Sequence, residues 1–145
     1  MSIALALDIA DAVADSINGS GILDAPTVAV RQLFVNKDLP DLQDLCVYVV
    51  PASVSTENDT RGSFVEAHEI HVAVIKSCPA GTDAQIAPLM YLAERIRRHL
   101  VRRGMSDCLP SEVSQVQHYN PEAMEKRNQF FSIIKITYEA SVPVT

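Results

Sequence analysis

The chain has 145 residues, 48% hydrophobic and 21% charged, and its 12 Lys and Arg against 18 Asp and Glu give a net charge of -6. A chain of this length buries roughly two-thirds of its unfolded surface, so one compact domain forms without disulfides or a structural metal. The negative charge argues against tight nucleic-acid binding. No apolar run reaches the ~18 residues of a membrane span and no basic segment opens a secretory signal, so we expect a soluble intracellular protein.

The three cysteines, Cys46, Cys78 and Cys108, are odd in number and widely spaced. A secreted disulfide framework normally uses an even set, so this pattern indicates a reducing compartment. No local signature of a nucleophilic cysteine surrounds them. We interpret all three as packing residues.

The first predicted helix runs over residues 2–18, where apolar residues recur at helical spacing and Gly19 supplies a stop. Its apolar arc covers more than half of the circumference, whereas packing on one sheet needs a stripe of roughly 100°. The excess predicts a second contact, with another element or with another copy of the chain. Three carboxylates occupy the remaining polar arc at i, i+3 and i+7: Asp8, Asp11 and Asp15.

Two predicted strands follow, at residues 27–35 and 45–50, because both segments are rich in β-branched residues. The acidic, Pro-interrupted segment 36–44 lies between them, and the polar segment 52–63 follows the second strand. Neither segment shows hydrophobic periodicity, so both are predicted to be long exposed loops.

Strict alternation predicts a central strand over residues 66–76, and Thr82 or Asp83 is placed to cap a second helix that runs to Gly104. Pro88 complicates the start of this helix. Because Pro is tolerated in a first turn and disruptive later, either the regular helix begins late or its first turn is distorted.

Two further strands are predicted at residues 112–119 and 130–140, the second from clear alternation. The element order in this single domain is therefore α-β-β-β-α-β-β. Such an order indicates an α+β fold, with two helices packed on one face of a mainly antiparallel sheet of four to five strands.

Motifs that carry chemistry are not found in the sequence. The glycine-containing segment 18–21 follows a helix, whereas a phosphate-binding loop precedes one. His68 and His71 are three residues apart on a predicted strand, which directs them to opposite faces and argues against joint coordination of a metal. We interpret them as exposed or interface imidazoles, and we predict no catalytic residue, no cofactor and no metal site.

The second helix carries a basic stripe with the same i, i+3, i+7 spacing as the acidic stripe on the first. Either stripe is also explained as a solvated helix face. The basic stripe has a further explanation, because cations near a helix C-terminus offset the helix dipole. The matching spacing allows a third interpretation, in which the stripes pair within one chain or between neighbouring chains in a ring. The candidate interface residues are Asp8, Asp11, Asp15, Arg95, Arg98 and Arg102.

Several short stretches occur in a fixed order over most of the chain. They are Ala29–Gln32, the acidic loop before Val47–Pro51, Arg61-Gly62 ahead of Glu69–Val74, Pro88–Met90, and Tyr119–Glu122 leading into Gln129–Ser132. Together they resemble the small tail-completion, or neck, minor tail proteins of long-tailed bacteriophages, a group that includes tail terminators.

The resemblance implies a structural virion protein without catalytic residues to carry over. Its implied role is a homo-oligomeric ring, often hexameric, that caps the tail tube and docks to the head connector, while DNA only passes through the pore. Its implied location is the virion tail or neck, after assembly in the host cytoplasm, with no membrane partner. The two polar loops would then make inter-ring or lumen contacts through Asp38, Asp41, Asp44 and Arg61.

Two other classes remain open. A head-proximal connector or a baseplate-side minor tail protein is also structural but occupies another level of the particle. A small ligand-binding or enzymatic α+β domain would need a concave pocket with convergent polar groups, and no convergent set is found in the sequence.

Overall fold

A computed structural model describes residues 5–24, 27–33, 45–60, 62–79, 81–101, 103–105, 108–117 and 129–143. Within these ranges the order of elements is α-β-β-β-α-β-β, which confirms the predicted order and the α+β class. The helices are α1 (Leu5–Ser20) and α2 (Asp83–Leu100). The strands are β1 (Ala29–Arg31), β2 (Cys46–Thr60), β3 (Ser63–Ser77), β4 (Leu109–Gln117) and β5 (Gln129–Pro143).

The strands form one sheet in the spatial order β1-β2-β3-β5-β4. β1 pairs with β2 in parallel, and all other neighbours pair antiparallel. β3 lies at the centre and pairs with β5 along its whole length, from Ser63 opposite Pro143 to Ser77 opposite Gln129. The sheet is therefore mainly antiparallel, as predicted.

Both helices pack on one face of this sheet. The alternation of β3 sends Ile70, Val72 and Val74 to that face, where they join buried residues of α1 and α2 in the main core. Burial of an aliphatic side chain contributes about 1.5–3 kcal/mol, so this face holds the helices in place. The fully or almost fully buried members from the helices are Ile9, Ala10, Val13, Ala14, Ile17, Leu89, Ala93, Ile96 and Leu100.

The wide apolar arc of α1 is used inside the chain. α1 contacts β1, β2, β3 and α2, so it packs on the sheet and against its neighbouring helix together. In the part of the chain that the structure describes, none of the large exposed hydrophobic side chains belongs to α1. The second contact is thus with other elements, which was one of the two predicted outcomes.

The segment 52–63 is not the predicted loop. β2 continues to Thr60 and β3 begins at Ser63, so residues 52–60 belong to one strand of a long hairpin that pairs with the start of β3, with register irregularities between Pro51 and Ser53 and between Asn58 and Thr60. The side chains of residues 52–57 are exposed, as their polarity predicted. Pairing with the neighbouring strand, and not burial of one face, keeps this segment extended, which is why no hydrophobic alternation marks it.

Several predicted boundaries are also corrected. β1 spans only three residues, β4 begins at Leu109 and ends at Gln117, and β5 continues through the tail to Pro143. α2 ends at Leu100 and begins at Asp83, with Pro88 inside it, so the regular helix does not begin late. The segment 36–44 with Asp38, Asp41 and Asp44, together with Arg61 and Arg102, lies outside the described residues.

Candidate functional site

Asp11, the central residue of the acidic stripe of α1, lies beside β1. Asp8 and Asp11 are half-buried and Asp15 is exposed. The Nε of Arg31 donates a hydrogen bond of 2.9 Å to the Oδ1 of Asp11. Asp11 therefore pairs with a residue of β1 that the stripe hypothesis did not include.

The basic stripe of α2 points away from the sheet. Tyr91 is 59% exposed, and Arg95 and Arg98 are exposed beside it. The Cζ of Arg95 lies 5.9 Å from the centre of the Tyr91 ring, and the Nη2 of Arg98 lies 3.5 Å from the Oε2 of Glu94. Arg95 and Arg98 thus contact residues of their own helix, and pairing of the stripes between copies stays a prediction.

A polar contact between the helices occurs elsewhere, at Ser16 and His99. The Ser16 Oγ and the His99 Nε2 are 2.9 Å apart, which shows that the two helices lie side by side. Burial lowers the pKa of His99 below its usual value, and the nearby charge of Arg103 lowers it further, against the opposing effect of Ser16. The structure therefore favours a neutral imidazole at this contact.

The face of the sheet opposite the helices, here called the outer face, is apolar at one end. Residues opposite one another on neighbouring strands share a face, so the register gives its rows directly. One row is Tyr48, Ala73 and Ile133, and the next is Cys46, Ile75 and Phe131. Ala73, Ile75 and Phe131 are at most 3% exposed and form a second, smaller core.

The next rows of the outer face are charged. The Ser53 Oγ donates a hydrogen bond of 3.1 Å to the Oε2 of Glu69, and the Lys135 Nζ lies 3.5 Å from its Oε1. The His71 Nε2 lies 3.4 Å from Oε2, outside hydrogen-bond geometry. Partial burial acts to raise the pKa of Glu69, but Ser53, Lys135 and His71 outweigh it and hold the pKa below its usual value.

This cluster differs from a nucleophilic triad in the order of its contacts. In a triad the serine hydroxyl bonds the imidazole, which removes its proton, and the carboxylate orients the imidazole from its other nitrogen. Here the Ser53 hydroxyl bonds the carboxylate of Glu69 directly. The contacts of Glu69 tie β2, β3 and β5 together.

Beyond this cluster the sheet continues as an arm, defined here as residues 53–57 of β2, 63–67 of β3 and 139–142 of β5. The outer face of the arm carries Glu57 and Glu139, and Glu112 of β4 lies beside it, opposite Thr137. All three glutamates are exposed. Sequence analysis did not select them, although the alternation of Val65, Ala67 and Glu69 extends the pattern of β3 in this direction.

On the helix side, the root of the arm contains a buried polar pair. His68 is 4% exposed and Tyr138, directly opposite on β5, is fully buried. The His68 Nε2 lies 3.1 Å from the Oε1 of Glu66, whereas the His68 Nδ1 and the Tyr138 hydroxyl are buried and have no hydrogen-bond partner among the described residues. Burial raises the pKa of Tyr138, so its hydroxyl stays protonated. The prediction of opposite faces for His68 and His71 is confirmed, but His68 is buried and not exposed.

Neither comparison with known proteins finds a relative: no family model matches the chain, and no curated protein matches it. The function is therefore inferred from the surfaces and cavities of the chain.

A cavity of about 230 Å³ lies between the end of β3 and the start of α2. This volume is below the roughly 300–1,000 Å³ of typical ligand sites. Among the described residues its lining includes Cys78, Gln85, Pro88 and Leu89, with Lys76 as the charged group.

Metal ligands do not converge in the described ranges, where no group of three or more His, Cys, Asp or Glu is placed to hold an ion. None of the three cysteines is in a disulfide, and Cys78 and Cys108 are buried while Cys46 is half-buried, which agrees with a packing role. Neither α1 nor α2 is long and apolar enough to cross a membrane.

Proposed function

We propose that this chain is a structural protein of a bacteriophage virion, which assembles into a ring, completes the tail tube and joins it to the head connector. The arm is the observation that carries the proposal. β2, β3 and β5 each have 15 residues, while the core residues of β3 begin only at Ile70. Residues 63–67 of β3 and their partners therefore extend past the part of the sheet that the helices cover.

In an isolated domain the ordering of such an arm is unfavourable in free energy. Ordering each backbone residue costs roughly 1–2 kcal/mol, and the β2 part of the arm buries little apolar surface to offset this cost because residues 52–57 are exposed, while residues 63–67 are half-buried. Packing of the arm against another protein molecule would supply the missing stabilisation. This property favours a role in assembly over a role in catalysis or ligand binding.

The stretches that carry the resemblance to tail-completion proteins also meet in space. Val47–Pro51 of β2 pairs with Ile70–Val74 of β3, and Phe131 and Ser132 of β5 pair with the end of the same segment of β3. Stretches that are distant in sequence thus form one continuous part of the sheet. The net charge of -6 supports a pore through which DNA passes without binding.

The proposal is tested with particles assembled in the absence of this chain. We expect such material to contain filled heads and unjoined tails, and we expect the purified full chain to restore joined particles. Electron microscopy of the restored particles should place a ring of this chain at the head-proximal end of the tail.

Three results would reject the proposal. Particles that join normally without the chain would exclude the joining function. A label found at the baseplate or within the head would assign the chain to one of the alternative levels of the particle. A chain that stays monomeric and binds a small molecule would support the ligand-binding alternative.

A further inference from the structure

Two exposed faces of this chain have opposite charge and, among the described residues, no ion-pair partner on another element. One is the outer face of the arm, with Glu57, Glu139 and the adjacent Glu112. The other is the exposed side of α2, with Tyr91, Arg95 and Arg98. Charge, position and chemistry suggest that they meet between copies.

The arm face is acidic throughout its described part. Glu57, Glu112 and Glu139 are exposed, and within the described ranges none of them forms an ion pair. The described residues of the arm include no Lys or Arg. Val65 and Ala67 are half-buried between the glutamates, so a narrow apolar strip lies along the middle of this face.

The α2 face is basic and carries an aromatic side chain. Tyr91, Arg95 and Arg98 follow i, i+4, i+7 spacing and lie opposite the buried residues Leu89, Ala93 and Ile96. Glu94 offsets part of the charge of Arg98 through their contact of 3.5 Å, and Arg95 has no carboxylate partner among the described residues. Exposed tyrosine flanked by arginine is a typical composition of a protein interface.

The two faces cannot contact each other within one chain. The glutamates of the arm project from the outer face of the sheet, whereas α2 packs on the opposite face and directs its arginines away from the sheet. A contact between them therefore requires two molecules. Because the two faces differ, the contact is head-to-tail, and such contacts close into rings when the rotation between copies divides a full turn.

The geometry points to a head-to-tail interface in which the arm face of one copy binds the α2 face of the next, with Tyr91 against Val65 and Ala67 and the arginines against the glutamates. This inference deepens the proposed function, because it names the contact that would build the ring. Charged rims chiefly set orientation and partner choice, and the aromatic anchor supplies affinity. The contact should weaken as salt is raised, since exposed charges are screened beyond ~10 Å at 0.1 M.

Charge reversal tests the inference in the full chain. We expect Glu57→Lys with Glu139→Lys to weaken self-association by about tenfold or more, measured by sedimentation at low salt. We expect the same loss from Arg95→Glu with Arg98→Glu. Circular dichroism and the melting temperature establish that each variant is folded, which the exposure of all four side chains favours.

Mixing the two double variants gives the sharper result. Each variant alone has like charges on its two faces and so loses the contact. In the mixture the basic arm of one variant meets the acidic helix of the other, so association should recover to within a few-fold of wild type. Asp15→Lys is the single-site control, because Asp15 is an exposed carboxylate on α1 and its substitution makes the same change of charge as each of the two Glu→Lys substitutions. We expect this control to associate like wild type.

Other outcomes overturn the inference. Association that is insensitive to both double variants would reject the interface. Loss of association in Asp15→Lys but not in Glu57→Lys with Glu139→Lys would instead assign the contact to the α1 stripe. Rings that form regardless of these charges would reject this interface and leave the proposed function intact. Charge-dependent association of a chain that particles do not need would support the interface and reject the proposed function.

Discussion

The side-chain amide of Asn18 forms two hydrogen bonds with the backbone of Ala29. Its Nδ2 donates to the Ala29 carbonyl at 3.0 Å, and its Oδ1 accepts from the Ala29 N–H at 2.7 Å. The amide thus occupies the place that a neighbouring strand would take at the edge of β1. At this residue the end of α1 blocks the edge from pairing with another chain.

Asn18→Ala should lower the free energy of unfolding by about 1–3 kcal/mol, because it removes two hydrogen bonds and leaves the N–H of the buried Ala29 without a partner. Asn18→Asp is the control, since a carboxylate still accepts from Ala29 but cannot donate to its carbonyl, and its loss should be smaller. Urea unfolding gives both values. Unchanged hydrogen exchange at the Ala29 amide in Asn18→Ala would contradict this account.

The pair of Asp11 and Arg31 joins α1 to β1 in a partly exposed position, with side chains 45% and 34% exposed. We expect a double-mutant cycle with Asp11→Ala and Arg31→Ala to give a coupling of about 0.2–1 kcal/mol, as for other exposed pairs. Added salt should reduce this coupling. A coupling of several kcal/mol would show that the pair is much less accessible to solvent than its geometry indicates.

The lowered pKa of His99 predicts a loss of stability in acid. The unfolded chain binds a proton at the ordinary pKa of about 6.5, whereas the folded chain resists protonation, so the contribution of His99 is present above this pH and is lost as the pH falls below it. His99→Gln keeps a hydrogen-bonding group at Ser16 without titrating. Melting temperatures from pH 8 to pH 5 should fall more steeply for wild type than for His99→Gln. Parallel curves would contradict the prediction.

Pro88 lies inside α2 and cannot donate a hydrogen bond to the carbonyl of Ala84. Pro88→Ala should raise the free energy of unfolding by about 1–3 kcal/mol, because it restores that bond and removes the ring clash. Ala87→Gly, one residue earlier on an exposed part of the same helix, should lower it by up to about 1 kcal/mol. Denaturant unfolding of both variants measures whether each substitution raises or lowers the free energy of unfolding. A destabilised Pro88→Ala would show that the proline packs favourably beside the cavity.

The core elements were predictable from local patterns. Apolar residues repeat along α2 with helical spacing, and Ile70, Val72 and Val74 alternate along β3, because a helix or strand that buries one side must repeat its apolar residues at its own period. These periods can be recognised without knowing which elements pack against the segment. They therefore predict the order of elements and the two faces into which the residues of β3 divide.

The β2 part of the arm was predicted as a loop for the opposite reason. Residues 52–57 bury no face, so their sequence carries no period, and their extended form depends on the distant residues of β3 that pair with them. Burial in an arm of this kind is replaced by backbone hydrogen bonds, which every residue type can form. Only the register of β2 on β3 identifies this segment as a strand.

The charged residues likewise have some properties that the sequence predicts and others that only the tertiary structure determines. The spacing of Asp11, Arg95 and Arg98 placed each on an exposed side of its helix, since spacing fixes the angle around a helix axis. The partner of Asp11 depends on which strand lies beside α1, and the sheet order brings Arg31 to that position. Angular position is a property of a local segment, whereas contact across the fold is set by how the segments pack together.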